Sequence, residues 1–149
     1  MSNSILCAID INQPENDAEV LRVAHKLARL DDARLDVITV VPDFGMSIVG
    51  GYFDKDFHDK AVAHARELLE TLVRDTIGEE ANRGVRHVVA TGKAYEEILH
   101  AAREAGSDLI VIGSHKPELR DYLLGPNAAR VVRHSDCSVY VVRPAVGRA

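Results

Sequence analysis

The sequence of 149 residues is poor in cysteine, in long apolar runs and in surplus positive charge, and each shortage removes a class of function. Its cysteines, Cys7 and Cys137, have no metal-ligand spacing, and two thiols in a chain of this size fit a reducing cytoplasm better than a disulfide scaffold. No stretch approaches the ~20 consecutive apolar residues of a membrane span. The opening Met1-Ser2-Asn3-Ser4 lacks the basic segment and small-residue cleavage site of a secretory signal. Lys and Arg number 18 against 23 Asp and Glu, a formal charge of −5. That balance gives no support to nucleic-acid binding, which runs on clustered bases. A cytoplasmic enzyme and a cytoplasmic binding module remain as expectations.

Catalytic signatures are also missing. Gly84 and Gly92-Lys93 stand too far apart for a phosphate-binding P-loop, and Ala94 replaces its hydroxyl residue. There is no Gly-x-Gly-x-x-Gly for a dinucleotide and no Gly-x-Ser-x-Gly for a hydrolase elbow. His58 and His64 lie six apart, on roughly opposite faces of a helix, so a shared metal is not expected. His25, His87 and His100 read as surface or core-edge residues. Cys7 sits in a buried strand as a small hydrophobe, and Cys137 reads as structural. The acids Asp10, Glu118 and Asp121 could hold Mg²⁺ through the phosphates of a nucleotide. With no paired base and nucleophile, no enzyme activity is expected beyond slow hydrolysis.

What is present is a strand–helix rhythm. Ile5–Ile9 is an apolar run closed by Asp10, the pattern of a strand buried on both faces. Asp17 is expected to open a helix that carries Val20, Ala24, Leu27 and Ala28 inward, with acids in its first turn and bases in its last. A second strand, Leu35–Val41, stops at Pro42. A longer helix is expected to place Ala61, Ala65, Leu68, Leu72 and Thr76 on one face and to end at Gly78. Val85–Ala90 reads as the third strand; Gly92 leads to a helix with Ile98, Ala101, Ala102 and Ala105 inward. Leu109–Ile112 is the fourth strand, ended by Gly113, and a short helix over Asn127–His134 precedes the fifth, Ser138–Val142. Such alternation calls for one α/β domain over residues 1–149, a mostly parallel sheet with helices on both faces.

In a sheet of this kind ligands bind beyond the carboxyl ends of the strands, where strand order reverses. Asp10 stands there, suited to accept hydrogen bonds from a ribose diol or, alternatively, to cap the next helix. The stretch from Gly113 to Asn127 joins a buried strand to a helix through two glycines and a basic pair, His115 and Lys116. Glycine admits close backbone approach, and the free amides of a first helical turn attract anions. The stretch reads either as a two-part phosphate cradle or as an ordinary strand-to-helix connection.

Three segments carry a family likeness: Ile-Leu-Cys-Ala-Ile-Asp10; Leu-Ile-Val-Ile-Gly113-Ser-His; and Tyr-Leu-Leu-Gly125-Pro-Asn-Ala-Ala-Arg-Val-Val-Arg-His-Ser-Asp-Cys-Ser-Val-Tyr-Val-Val-Arg143. With them the chain resembles the universal stress protein family across its length. The resemblance implies a doubly wound, Rossmann-like sheet of the adenine nucleotide alpha hydrolase type, in order 3-2-1-4-5. It also implies a homodimer and, in many members, bound ATP or AMP. Carried over, Ile9 and Asp10 would meet the nucleotide at the first strand, with Asp10 on the ribose. The backbone of Val40 would meet the adenine edge. Gly113, His115 and Lys116 would lie along the phosphates, with Gly125, Asn127 and Ala128 opposite. The chain departs from the ATP-binding pattern where Lys116 stands for the second glycine of Gly-x-x-Gly. The spacer to Gly125 is one residue shorter, and Pro126 replaces a Ser or Thr, so one amide donor is lost. The wording Ser-His-Lys-Pro-Glu resembles a subgroup with His-Arg-Pro-Asp at this point, in which the basic residue takes over from the glycine.

The last strand, Val139-Tyr140-Val141-Val142, is apolar throughout and would be an edge in the family order, which predicts a symmetric homodimer joined there. The segment 44–57 reads as a lid over the nucleotide or as cover for the core's edge. The expected function is an adenine-nucleotide-binding regulatory dimer of the stress response with little or no hydrolysis. The alternative is a nucleotide-independent dimeric regulator or chaperone-like interaction module. A true ATP-consuming enzyme would instead show turnover that Lys116→Ala abolishes.

Overall fold

The computed structural model describes residues 3–12, 14–42, 52–114 and 125–143, with side chains from residue 55 onward in the third of these segments. In chain order the elements are β1 (Ser4–Ala8), α1 (Pro14–Asp31), β2 (Arg34–Val41), α2 (Tyr52–Ile77), α3 (Glu79–Arg83), β3 (Arg86–Thr91), α4 (Ala94–Ala105), β4 (Leu109–Gly113), α5 (Pro126–His134) and β5 (Ser138–Val142). The strands form one sheet in the order β3-β2-β1-β4-β5, every neighbouring pair parallel. The α/β class and the strand order implied by the resemblance are both found.

The pleat divides the core in two. Along β1, Ile5 and Cys7, followed by Ile9, join Val20, Leu21 and Ala24 of α1 and Leu69 and Val73 of α2 on one face. Leu6 and Ala8 join Ile98, Leu99 and Ala102 of α4 and Val131 of α5 on the other. β1 is therefore covered on both faces and flanked by strands on both edges, which is why its sequence is apolar at successive positions rather than alternating. Each fully buried Leu, Ile or Val here contributes ~1.5–3 kcal/mol relative to exposure.

Three expectations about helices need correction. α1 begins at Pro14, not Asp17; proline suits a first helical position because its missing amide would have no intrahelical partner. In α2 the inward row is Ala65, Leu69 and Val73 while Leu68 is 38% exposed, so the helix is rotated by about one residue from the face expected. α4 buries Leu99 beside Ile98 and Ala102, with Ala101 and Ala105 at the margin. That helix ends as a left-handed cap: Gly106 has φ 64°, and the Ser107 amide donates back to the Ala102 carbonyl at 2.9 Å, a geometry that glycine adopts without a Cβ clash.

Polar groups lock the sheet's amino-terminal floor. The Asp108 carboxylate accepts the Asn3 and Ser4 amides at 2.7 and 3.0 Å, and the Asp108 amide donates to the Ser4 carbonyl at 2.8 Å. These hydrogen bonds hold the Asp108 carboxyl below its ordinary range. Asp36 of β2 is wholly buried, and Arg86 of β3 and Arg34 reach it at 3.2 and 3.7 Å. Among the described residues no helix is long and apolar enough to cross a membrane.

Candidate functional site: a cavity at the carboxyl ends of β1 and β4

From β1 the chain winds outward one way through β2 and β3, and the other way through β4 and β5. The crevice between the carboxyl ends of β1 and β4 is the switch point of the sheet, the position at which such folds leave room for a ligand. A cavity of about 260 Å³ lies there. Its walls are apolar: Ala8, Ile38, Val40 and Ile112 come from the strands, Ala94 and Ile98 from α4, and Ala128 from α5. Asp10, Asn12, Asp17 and Asn127 supply the polar side chains at its border, and Ile9, Pro42, Gly113, Gly125 and Pro126 complete it.

The Asp10 side chain is exposed at the rim, and its Oδ1 accepts the Asn12 amide at 3.0 Å, closing a turn just past β1. The Asp10 amide donates to Oδ2 of Asp17. Asp17 is thus not the cap of α1 expected from sequence. It lies inside the helix, 6% exposed, with its carboxylate turned back across the turn. Burial raises its pKa to about 7; the hydrogen bond from Asp10 opposes that rise, and the Asp10 charge adds to it. Burial and, secondarily, the nearby Asp17 charge push the Cys7 thiol well up, in keeping with an inert small hydrophobe.

The opposite wall is built where β4 meets α5. The Gly125 amide donates to the Ser114 carbonyl at 2.6 Å, and the Ser114 amide to the Val142 carbonyl at 2.9 Å. These bonds bring the start of α5 against the end of β4. Gly125 is the helix's N-cap and has no side-chain cap, and Pro126 follows it. The first helical bond runs from the Ala129 amide to the Gly125 carbonyl at 3.0 Å. Because Pro126 has no amide, the first-turn donors without an intrahelical partner are those of Asn127 and Ala128. Both residues border the cavity.

Seven of the residues singled out from sequence therefore converge on one cavity: Ile9, Asp10, Val40, Gly113, Gly125, Asn127 and Ala128. His115 and Lys116 lie outside the described residues, as do Glu118, Asp121 and positions 44–51 of the suspected lid. The rest of that segment is the start of α2, with Phe57 56% exposed. Sequence reasoning did not assign to the site the other lining residues, Ala8, Asn12, Asp17, Ile38, Pro42, Ala94, Ile98, Ile112 and Pro126. Among the described residues the cavity wall holds two carboxylates and no Lys or Arg, and no group of three His, Cys, Asp or Glu is placed to hold a metal. His58 instead meets the Thr91 hydroxyl at 3.0 Å. Cys137 is partly buried beside the Ser135 hydroxyl at 3.4 Å. β5 is an edge strand. Tyr140 is 45% exposed, Val139 and Val141 are half-buried, and Val142 packs into the chain's own core.

Comparison with known proteins agrees with the fold. The sequence profile of the universal stress protein family matches residues 1–143. Universal stress protein G of Shigella flexneri is 31% identical over 146 residues, covering 96% of this chain and 100% of that protein. Universal stress protein YxiE of Bacillus subtilis is 29% identical over 154 residues, with the same coverage. Among solved structures, universal stress protein UspA from Lactobacillus plantarum superposes with a TM-score of 0.73 at 22% identity, covering 95% of this chain and 97% of that one. A universal stress protein in complex with cAMP superposes with a TM-score of 0.67 at 16% identity, again over 95% and 97%. At those identities the structural likeness speaks for the fold.

Proposed function

This chain belongs to the universal stress protein family, and from that premise we propose that it binds an adenine nucleotide, ATP or AMP, in the cavity between β1 and β4, as a regulatory homodimer with little or no hydrolysis. The observation that carries the reading is the convergence on one apolar cavity of a rim carboxylate, Asp10, and the open amide end of a helix, α5. Apolar walls suit a purine ring, the carboxylate suits a ribose diol, and the amides of Asn127 and Ala128 suit a phosphate. The cAMP complex of a relative with the same fold supports an adenylate ligand. His115 and Lys116 would supply the positive charge, and any Mg²⁺ would come with the nucleotide's phosphates.

The test is direct. Purified protein should release a 260-nm-absorbing nucleotide on denaturation, and added ATP should raise its melting temperature. A ligand at 100 times its Kd stabilises a fold by ~2.7 kcal/mol. Protein that carries no nucleotide and melts at the same temperature with and without millimolar ATP or AMP would refute the reading. Steady phosphate release abolished by Lys116→Ala would instead make it an enzyme.

One observation favours a second reading. Two carboxylates with no cation between them, among the described wall residues, form a poor anion site. A nucleotide-independent dimeric regulator or chaperone-like module would have such a cavity and would give the negative result above.

A further inference from the structure

Asp10 and Asp17 are the titratable groups among the described residues of the cavity wall. They differ in placement. Asp10 is exposed at the rim, whereas Asp17 is 6% exposed and lies behind it. Their link is the backbone, since the Asp10 amide donates to Asp17 Oδ2 while the Asp10 carboxylate accepts the Asn12 amide. Asp10 is thus held twice, its carboxylate by the turn it closes and its backbone amide by the acid beneath it. From β1, the other ionisable group that senses Asp17 is the buried thiol of Cys7. The wall residues that α4 and α5 contribute, Ala94, Ile98, Asn127 and Ala128 among them, carry no charge. A buried carboxylate with one amide partner among the described residues and a like charge for a neighbour is under pressure to take up a proton, and the burial-driven rise of Asp17 places that event near neutrality.

We infer that Asp17 is a positioning residue for the ligand cavity: it fixes the Asp10 turn in either protonation state, and its ionisation sets an unfavourable second negative charge against a phosphate-bearing ligand, so that adenylate binding takes up a proton at Asp17. This deepens the nucleotide-binding reading and rests on it. The carboxyl-to-amide bond survives protonation because the proton goes to the other oxygen, so the turn persists while the charge disappears. Affinity for an anionic adenylate should therefore fall as pH rises through neutrality.

The experiment is calorimetric titration of the full chain with ATP and, separately, with AMP at pH 6 and pH 8, each in two buffers of different ionisation enthalpy, for wild type and Asp17→Asn. The terminal phosphate of the nucleotide titrates in the same range and contributes equally to both proteins, so the difference between them reports Asp17. Wild type should lose roughly three- to tenfold more affinity than the variant between pH 6 and pH 8, and should take up more protons on binding. Equal pH slopes and equal proton uptake overturn the inference while leaving nucleotide binding intact. Absence of binding to wild type at both pH values overturns the nucleotide reading itself. A ligand-free measurement separates the two failures: the Asp10 amide resonance of the wild type should titrate near neutral pH and that of Asp17→Asn should not. If Asp17→Asn does not fold, Asp17→Ser, which keeps an acceptor for the amide, serves in both measurements.

Discussion

Burying a carboxylate costs free energy that a single amide partner does not recover, and Asp17 makes that cost depend on pH. Its pKa in the fold, about 7, lies above the ordinary 3.8, so between those values the folded chain holds a proton that the unfolded chain has released. Stability from this group is greatest below about pH 4, declines as pH rises towards 7 and is flat above. Asp17→Asn keeps an oxygen for the Asp10 amide and removes the charge. It should stabilise the fold by about 2–4 kcal/mol at pH 8 and by far less at pH 4, checked by urea denaturation at both pH values. A variant less stable than wild type at pH 8 would show that the charge itself is useful to the fold. Asp10 was legible in the sequence because an acid directly after an apolar run marks a strand's carboxyl end. Asp17 was not, because an acid at a helix start looks like a cap whether it bonds its own helix or the preceding strand's turn. Only the true start of α1 at Pro14 distinguishes the two.

At the scale of an element, α5 carries one of the departures from the ATP-binding pattern that the family resemblance implies, Pro126, and the structure gives that departure a definite form. Gly125 caps the helix, Pro126 follows without an amide, and two donors remain at the cavity border. Pro126→Ser restores an amide and adds a hydroxyl. If a phosphate lies there, one more charge-assisted hydrogen bond of ~1–1.5 kcal/mol should tighten adenylate binding about five- to tenfold. Isothermal titration of both proteins with ATP checks this, and an unchanged Kd would place the phosphates elsewhere. The strands were legible nearly to the residue, since apolar runs closed by Asp10, Pro42 and Gly113 leave little freedom. The faces of helices were less so. Leu68 and Leu69 are adjacent and both apolar, so helical periodicity supports either row, and packing against the sheet chose Leu69. The five-residue α3 between Gly78 and Gly84 is too short to leave a periodic signal.

For the whole molecule the open question is assembly. The sheet has two edges, β3 and β5. β5 presents Tyr140, 45% exposed, and the neighbouring α5 presents Val132, 46% exposed. An apolar edge strand invites pairing with a second copy. We expect a homodimer at micromolar concentration in sedimentation equilibrium, and a monomer on Tyr140→Lys with little change in the melting of the isolated fold. A monomeric wild type would remove the dimer from the proposed function. The apolar run Val139–Val142 suggested this edge, yet its residues do different work: Val142 packs into one half of the chain's own core and Val139 and Val141 against the other, so Tyr140 is the side chain left exposed for a partner. A sequence run cannot separate these uses, because which side chains the helices cover on each face is decided only in the assembled sheet.

The clasp at the opposite pole, where Asp108 grips the amides of Asn3 and Ser4, has a practical corollary. Any cargo joined ahead of Asn3, whether a fluorophore, a surface tether or a fused reporter, would hang from the underside of the fold and leave the cavity mouth unobstructed. Immobilising the protein by that end is therefore the orientation in which small-molecule capture can be watched without shadowing it.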